Sequence, residues 1–130
     1  MIIEGKVVKG KQLGRTIGFP TANIEVNHQM GSGPDGVYAA FIEIDDRQLY
    51  CMVNIGHHPT LPEGGKTVEA HIFGYSGDAY GKYVQLETVG YIRPEQKFAS
   101  VEELKTQLER DKISANEILN RQICTPPGIE

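Results

Sequence analysis

The stretch Gly36–Ile55, GVYAAFIEIDDRQLYCMVNI, decides the fold. Two runs rich in β-branched and aromatic residues, about 36–44 and 48–55, are separated only by the short polar Asp45-Asp46-Arg47, which predicts an antiparallel hairpin. Outward from it, residues 2–8, 67–73 and 83–92 have the same character, bounded by Gly, Asp or Pro, and predict three further strands. A helix follows. Ser100 precedes Val101 and Glu103 stands three residues on, the spacing at which each side chain satisfies the other's orphan backbone N–H. Val101, Leu104, Leu108, Ala115, Ile118 and Leu119 form an apolar stripe, so one face should dock on the sheet, with the helix ending near Arg121. Beyond it, Thr125-Pro126-Pro127-Gly128 cannot continue a helix and predicts a loose tail. Clustered antiparallel strands with one helix behind them favour a small barrel carrying the helix on its outside. Segments 27–35 and 56–66 hold much of the remaining Gly and Pro and are expected to be mobile flaps.

The 130 residues suit a single domain whose core needs no disulfides. The formal net charge of −4 argues against a nucleic-acid module, which normally needs a basic patch. Cys51 and Cys124 form no C-x-x-C pair, and a zinc site built on His57, His58 and His71 is disfavoured because adjacent histidines point apart in an extended chain. The charged start, with Glu4 and Lys6, is unlike a secretory leader, and no segment approaches the roughly 18 apolar residues of a membrane span. The expectation is a soluble, cytoplasmic protein with reduced thiols, monomeric, binding neither membrane nor nucleic acid.

Gly10, Gly14 and Gly18 recur every four residues ahead of Pro20, Thr21 and Asn23. Such glycines let consecutive backbone N–H groups turn toward an anion, and Arg15 can add a permanent cation. The spacing matches neither G-x-x-x-x-G-K-[ST] nor G-x-G-x-x-G, so charge compensation without a phosphate-loop lysine would fall to Mg²⁺ and backbone dipoles. Thr21 and Asn23 are hard oxygen donors on one side of an extended segment, the ligand type Mg²⁺ prefers. The same composition also fits plain turns between strands.

The string Gly5-Lys6-Val7-Val8-Lys9-Gly10, then Gly14-Arg15 and Gly18-Phe19-Pro20-Thr21-Ala22-Asn23, resembles the signature of the riboflavin kinases (flavokinases), in which Pro-Thr-Ala-Asn is diagnostic. Gly36-Val37-Tyr38, Asn54-Ile55-Gly56 with Pro59-Thr60, Thr67 to Ile72, Tyr80-Gly81 and Ile92 to Phe98 follow in the family's order, and the resemblance runs over about residues 4–120. It implies a six-stranded Greek-key barrel with a C-terminal helix: a kinase domain over residues 1–121 and a tail over 122–130. In many bacteria the resembling domain is the C-terminal half of an enzyme whose other half adenylylates FMN. The chain would then be a stand-alone kinase or an excised domain. His58 and Gln96 stand where many relatives carry other polar residues.

The implied reaction moves the ATP γ-phosphoryl group to the ribityl 5′-hydroxyl of riboflavin, giving FMN and ADP with Mg²⁺. Alternation in Thr67–Ile72 puts Val68, Ala70 and Ile72 on one face and Glu69 with His71 on the other, which is also met by a solvated outer carboxylate. The resemblance implies instead that Glu69 is the catalytic base. It likewise assigns Gly10, Arg15, Gly18, Pro20, Thr21, Asn23, Ile72 and Tyr80 to the nucleotide site, with Thr21 and Asn23 on the metal, and Arg93, Glu95 and Phe98 to the flavin. From the residues alone, Tyr80 is equally a core side chain, Phe98 a helix-docking residue, and Arg93 with Glu95 a surface pair. A flavin-binding module without turnover is the alternative function, and a flavin-dependent oxidoreductase on a similar barrel a weaker one.

Overall fold

The computed structural model describes residues 1–8, 18–57, 66–75 and 78–124. Its elements are β1 (Ile2–Val8), β2 (Ala22–Met30), β3 (Gly36–Ile44), β4 (Arg47–His57), β5 (Lys66–Ile72), β6 (Tyr83–Arg93) and helix α1 (Val101–Cys124). The strands pair antiparallel in the order β1-β2-β5-β4-β3-β6, and β6 returns to β1 to close a six-stranded barrel. Closure removes the exposed sheet edges. Among the described residues no helix is long and apolar enough to cross a membrane.

The expected hairpin is β3–β4, turning at Asp45 and Asp46 with φ of 54° and 59°, the left-handed pair of a tight two-residue turn. β2 corrects the sequence reading, which predicts a loop from residue 27. Ala22, Ile24 and Val26 pack on the barrel core, but a register shift between Glu4 and Gly5 in the β1–β2 ladder interrupts the alternation. Asn27, His28 and Gln29 continue the strand to an exposed Met30, with no alternation of apolar residues to mark it.

Ile3, Ile42, Val53, Ile55, Val68 and Leu86 fill the barrel interior. A second core lies between the barrel's outer face and α1, where Val37, Ala39, Phe41 and Met52 meet Ala115, Leu119 and Phe19. β3 therefore serves both cores: Tyr38, Ala40 and Ile42 point inward, Val37, Ala39 and Phe41 toward the helix, and the strand is apolar in both registers. α1 begins as a capped helix, with Glu103 N–H donating to Ser100 Oγ at 3.1 Å. The return bond differs from expectation: the Glu103 carboxylate accepts from Ala99 N–H at 2.9 Å, one residue before Ser100. The helix also runs past Arg121 to Cys124, and Val101 is 52% exposed, outside the docked stripe.

Candidate active site

A cavity of about 320 Å³ opens on the outer face of the barrel beneath the start of α1. Thr21, Asn54, Glu69 and His71 form its polar side, while Phe19, Val37, Met52, Leu104 and Leu108 supply apolar surface. The segment joining β6 to α1 brings Arg93, Glu95, Gln96 and Phe98 to the opposite wall.

Ladder register places the central carboxylate. Val68, Ala70 and Ile72 belong to the barrel interior, so Glu69 and His71 project outward. Glu69 is paired with Asn23 across β2 and with Asn54 across β4. Directly opposed residues hold their Cβ atoms about 5 Å apart, so a row of amide, carboxylate and amide crosses three strands. Thr21, two residues before Asn23 and just ahead of β2, faces the same outer side because Ala22 and Ile24 point inward.

His71, 8% exposed, ties this row to the residues before β2. Its Nδ1 lies 2.7 Å from the Pro20 carbonyl, an acceptor, so Nδ1 carries the proton and donates. The ring packs against Phe19 and Phe73, with centroids at 5.2 and 5.6 Å. Burial lowers its pKa below the ordinary 6.5; Lys112 pushes the same way, and the Pro20 carbonyl opposes them. The neutral imidazole thus fixes the backbone one residue before Thr21.

On the far wall, Arg93 does not pair with Glu95. Its guanidinium grips Asp111 of α1, with Nη2 2.8 Å from Oδ2, and lies over the Phe98 ring at 5.7 Å. Glu95 instead packs against β4, where a Cβ built on Gly56 would stand 2.4 Å from Oε1.

A family model described as "Flavokinase: Riboflavin kinase" matches residues 1–119. The chain belongs to the riboflavin kinase family. A relative in Escherichia coli K12, named bifunctional riboflavin kinase/FMN adenylyltransferase, is 42% identical over 116 residues, which are 88% of this chain and 37% of the relative. The Bacillus subtilis protein of the same name is 38% identical over 116 residues, 87% of this chain and 37% of its own length. The chain thus spans little more than a third of these relatives. Among solved structures, a Streptococcus pneumoniae protein described as a macrolide-efflux protein superposes with a TM-score of 0.83 at 34% identity, over 88% of this chain and 38% of its own. The Trypanosoma brucei riboflavin kinase superposes at 0.61 with 24% identity, over 92% of this chain and 79% of its own, a likeness of fold.

Within this riboflavin kinase domain, the structure gathers Thr21, Glu69, Arg93, Glu95 and Phe98 around one cavity and sets Asn23 beside Glu69 in the ladder. Ile72 is 9% exposed and packs in the barrel core, because its register is that of Val68 and Ala70. Tyr80 is 53% exposed, which removes the core alternative. Gly18 has φ of 85°, and a Cβ there would meet no atom of the described residues within 4 Å. Pro20 enters through its carbonyl, the acceptor for His71. Gly10, Gly14, Arg15, His58 and the Pro59-Thr60 pair lie outside the described residues, as do 58–65 of the expected second flap and the tail from 125. Sequence reasoning missed Asn54 and His71 as cavity residues, and Asp111 altogether. His71 carried a signal in its alternation with Glu69, whereas Asn54 and Asp111 are placed only by their partners Glu69 and Arg93.

The donor chemistry fits Mg²⁺. Among the described residues no three His, Cys, Asp or Glu side chains gather. Thr21 and Asn23 offer neutral hard oxygens on one side of the chain, the sparse protein ligation Mg²⁺ accepts when substrate phosphates complete its shell.

Proposed function

We propose that this domain is an ATP:riboflavin 5′-phosphotransferase, producing FMN and ADP. The observation that carries the reading is Glu69: a mid-strand carboxylate aimed outward into the cavity, flanked in register by Asn23 and Asn54. The ribityl 5′-hydroxyl is a poor nucleophile until a base takes its proton. Glu69 accepts that proton as the hydroxyl oxygen bonds to the γ-phosphorus, the bond to the β-phosphate bridging oxygen breaks, and ADP leaves.

Thr21 and Asn23 are the residues that would hold Mg²⁺, which when bound neutralises charge on the ATP phosphates. His71 keeps Pro20, and with it the approach to Thr21, in place. Gly10, Arg15, Gly18 and Pro20 belong to the phosphate side and Tyr80 to the nucleotide wall, while Arg93, Glu95 and Phe98 receive riboflavin. Phe98 offers an aromatic face to the isoalloxazine ring, and Leu104 and Leu108 exclude water beside it. The protein works as a monomer in the cytoplasm on small-molecule substrates.

A flavin-binding module without turnover needs neither the paired oxygens of Thr21 and Asn23 nor the Glu69 carboxylate beside Asn23, and their presence together favours the kinase. Incubation of purified protein with riboflavin and MgATP should yield FMN by chromatography, and chelation of the metal should abolish it. Riboflavin binding without FMN formation would support the binding module instead.

A further inference from the structure

Asp111 stands where the helix stripe calls for an apolar side chain. Leu104, Leu108, Ala115 and Leu119 lie on the docked face of α1, and Asp111, 1% exposed, fills the gap between Leu108 and Ala115 at three- and four-residue spacing. Arg93 Nε lies 3.0 Å from both carboxylate oxygens and Nη2 lies 2.8 Å from Oδ2, while Gln107 Nε2 donates to Oδ1 at 2.9 Å.

Replacing a buried ion pair with well-packed apolar residues is often neutral or stabilising, so stability alone does not account for this carboxylate. Orientation does. Arg93 is the last residue of β6 and the first of the cavity wall that runs to Phe98. Its Nη1 donates to the Pro94 carbonyl at 3.1 Å, and its guanidinium plane lies over Phe98. With Nε and one Nη2 proton committed to Asp111 and one Nη1 proton to Pro94, the planar guanidinium has a single orientation, and one N–H on each of Nη1 and Nη2 remains for a ligand in the cavity that Arg93 lines.

We propose that Asp111 is a positioning residue for the riboflavin side of the cavity: it aims the Arg93 guanidinium and, through it, the Phe98 face. Gln107 in turn orients Asp111. The proposal rests on the riboflavin kinase reading.

Asp111→Asn in the full chain keeps size and shape but removes the charge that holds Arg93. Flavin fluorescence should show riboflavin affinity about tenfold weaker, the range of a lost charge-assisted hydrogen bond, with the KM for MgATP little changed and the circular dichroism spectrum intact. A merely structural role would leave both substrates unaffected in the folded protein or weaken both equally, and either result overturns the proposal. If Asp111→Asn fails to fold, Gln107→Leu decides, since Gln107 bonds Asp111 but does not line the cavity. It should weaken riboflavin alone, and no such selectivity overturns the proposal. Wild-type protein that binds no riboflavin would overturn the functional reading beneath it, a result separate from a variant that binds as well as wild type.

Discussion

A general base contributes about 10²–10⁴-fold in rate, and the ladder position of Glu69 makes that contribution separable from binding. Glu69→Gln keeps the size of the side chain and most of its hydrogen bonding but cannot take the proton. The expected outcome is a kcat lower by about 10²–10⁴-fold with little change in either KM, measured by steady-state kinetics with each substrate varied. A loss confined to KM would make Glu69 a substrate-positioning group. Gly56 permits a second test at this scale. A Cβ there meets Oε1 of Glu95 at 2.4 Å, the tip of an exposed and flexible side chain, so Gly56→Ala should displace Glu95 rather than unfold the barrel. Stability should stay within about 1 kcal/mol by denaturant titration, while the KM for riboflavin rises more than that for ATP. Strand alternation turned Glu69 away from Val68 and Ala70 but equally fitted a solvated carboxylate, and only the family resemblance proposed it as the base. Asp111 was not legible in the sequence, because a lone carboxylate in a helix reads as solvated until its partner from β6 is seen 18 residues away in sequence.

Helix α1 turns local chemistry into a wall of the site. Ser100 and Glu103 satisfy free N–H groups at its start, and Glu102 and Glu103 in its first turn favour the positive end of the helix dipole. Leu104 and Leu108, one and two turns on, line the cavity. Ser100→Ala should cost about 0.5–2 kcal/mol of stability by urea denaturation. Because the frayed turn sits against the riboflavin side, it should also weaken riboflavin more than MgATP. Equal stability in the variant would show that the Glu103–Ala99 bond caps this helix by itself. The capping signal was readable because it is local. β2 was less so: beyond Val26 its one apolar residue is the exposed Met30, Asn27 is the bulged residue without a β1 partner, and His28 and Gln29 are strand because β1 pairs with them beyond the bulge. A strand defined by its partner carries little mark of its own.

The whole molecule is two cores sharing one sheet, and His71 sits where they meet the site. From β5 it reaches Pro20 through Nδ1, packs on Phe19 and Phe73, and lies near Lys112 of α1, whose Nζ is 5.3 Å from the Phe73 ring centroid. Burial favours the neutral ring in the fold, so the folded pKa lies below the unfolded value of 6.5. Below 6.5 the unfolded chain binds more protons at this residue than the folded one. His71 therefore contributes stability that is fully present above 6.5 and declines as pH falls toward its folded pKa. His71→Asn places an amide N–H near the position of Nδ1 and removes the titration. Urea unfolding free energies measured across pH 6.5 should show wild type losing stability on the acid side faster than His71→Asn, with the two curves parallel on the alkaline side. Curves that stay parallel throughout would mean that His71 keeps an ordinary pKa, and that the cavity floor is more open to water than its 8% exposure implies.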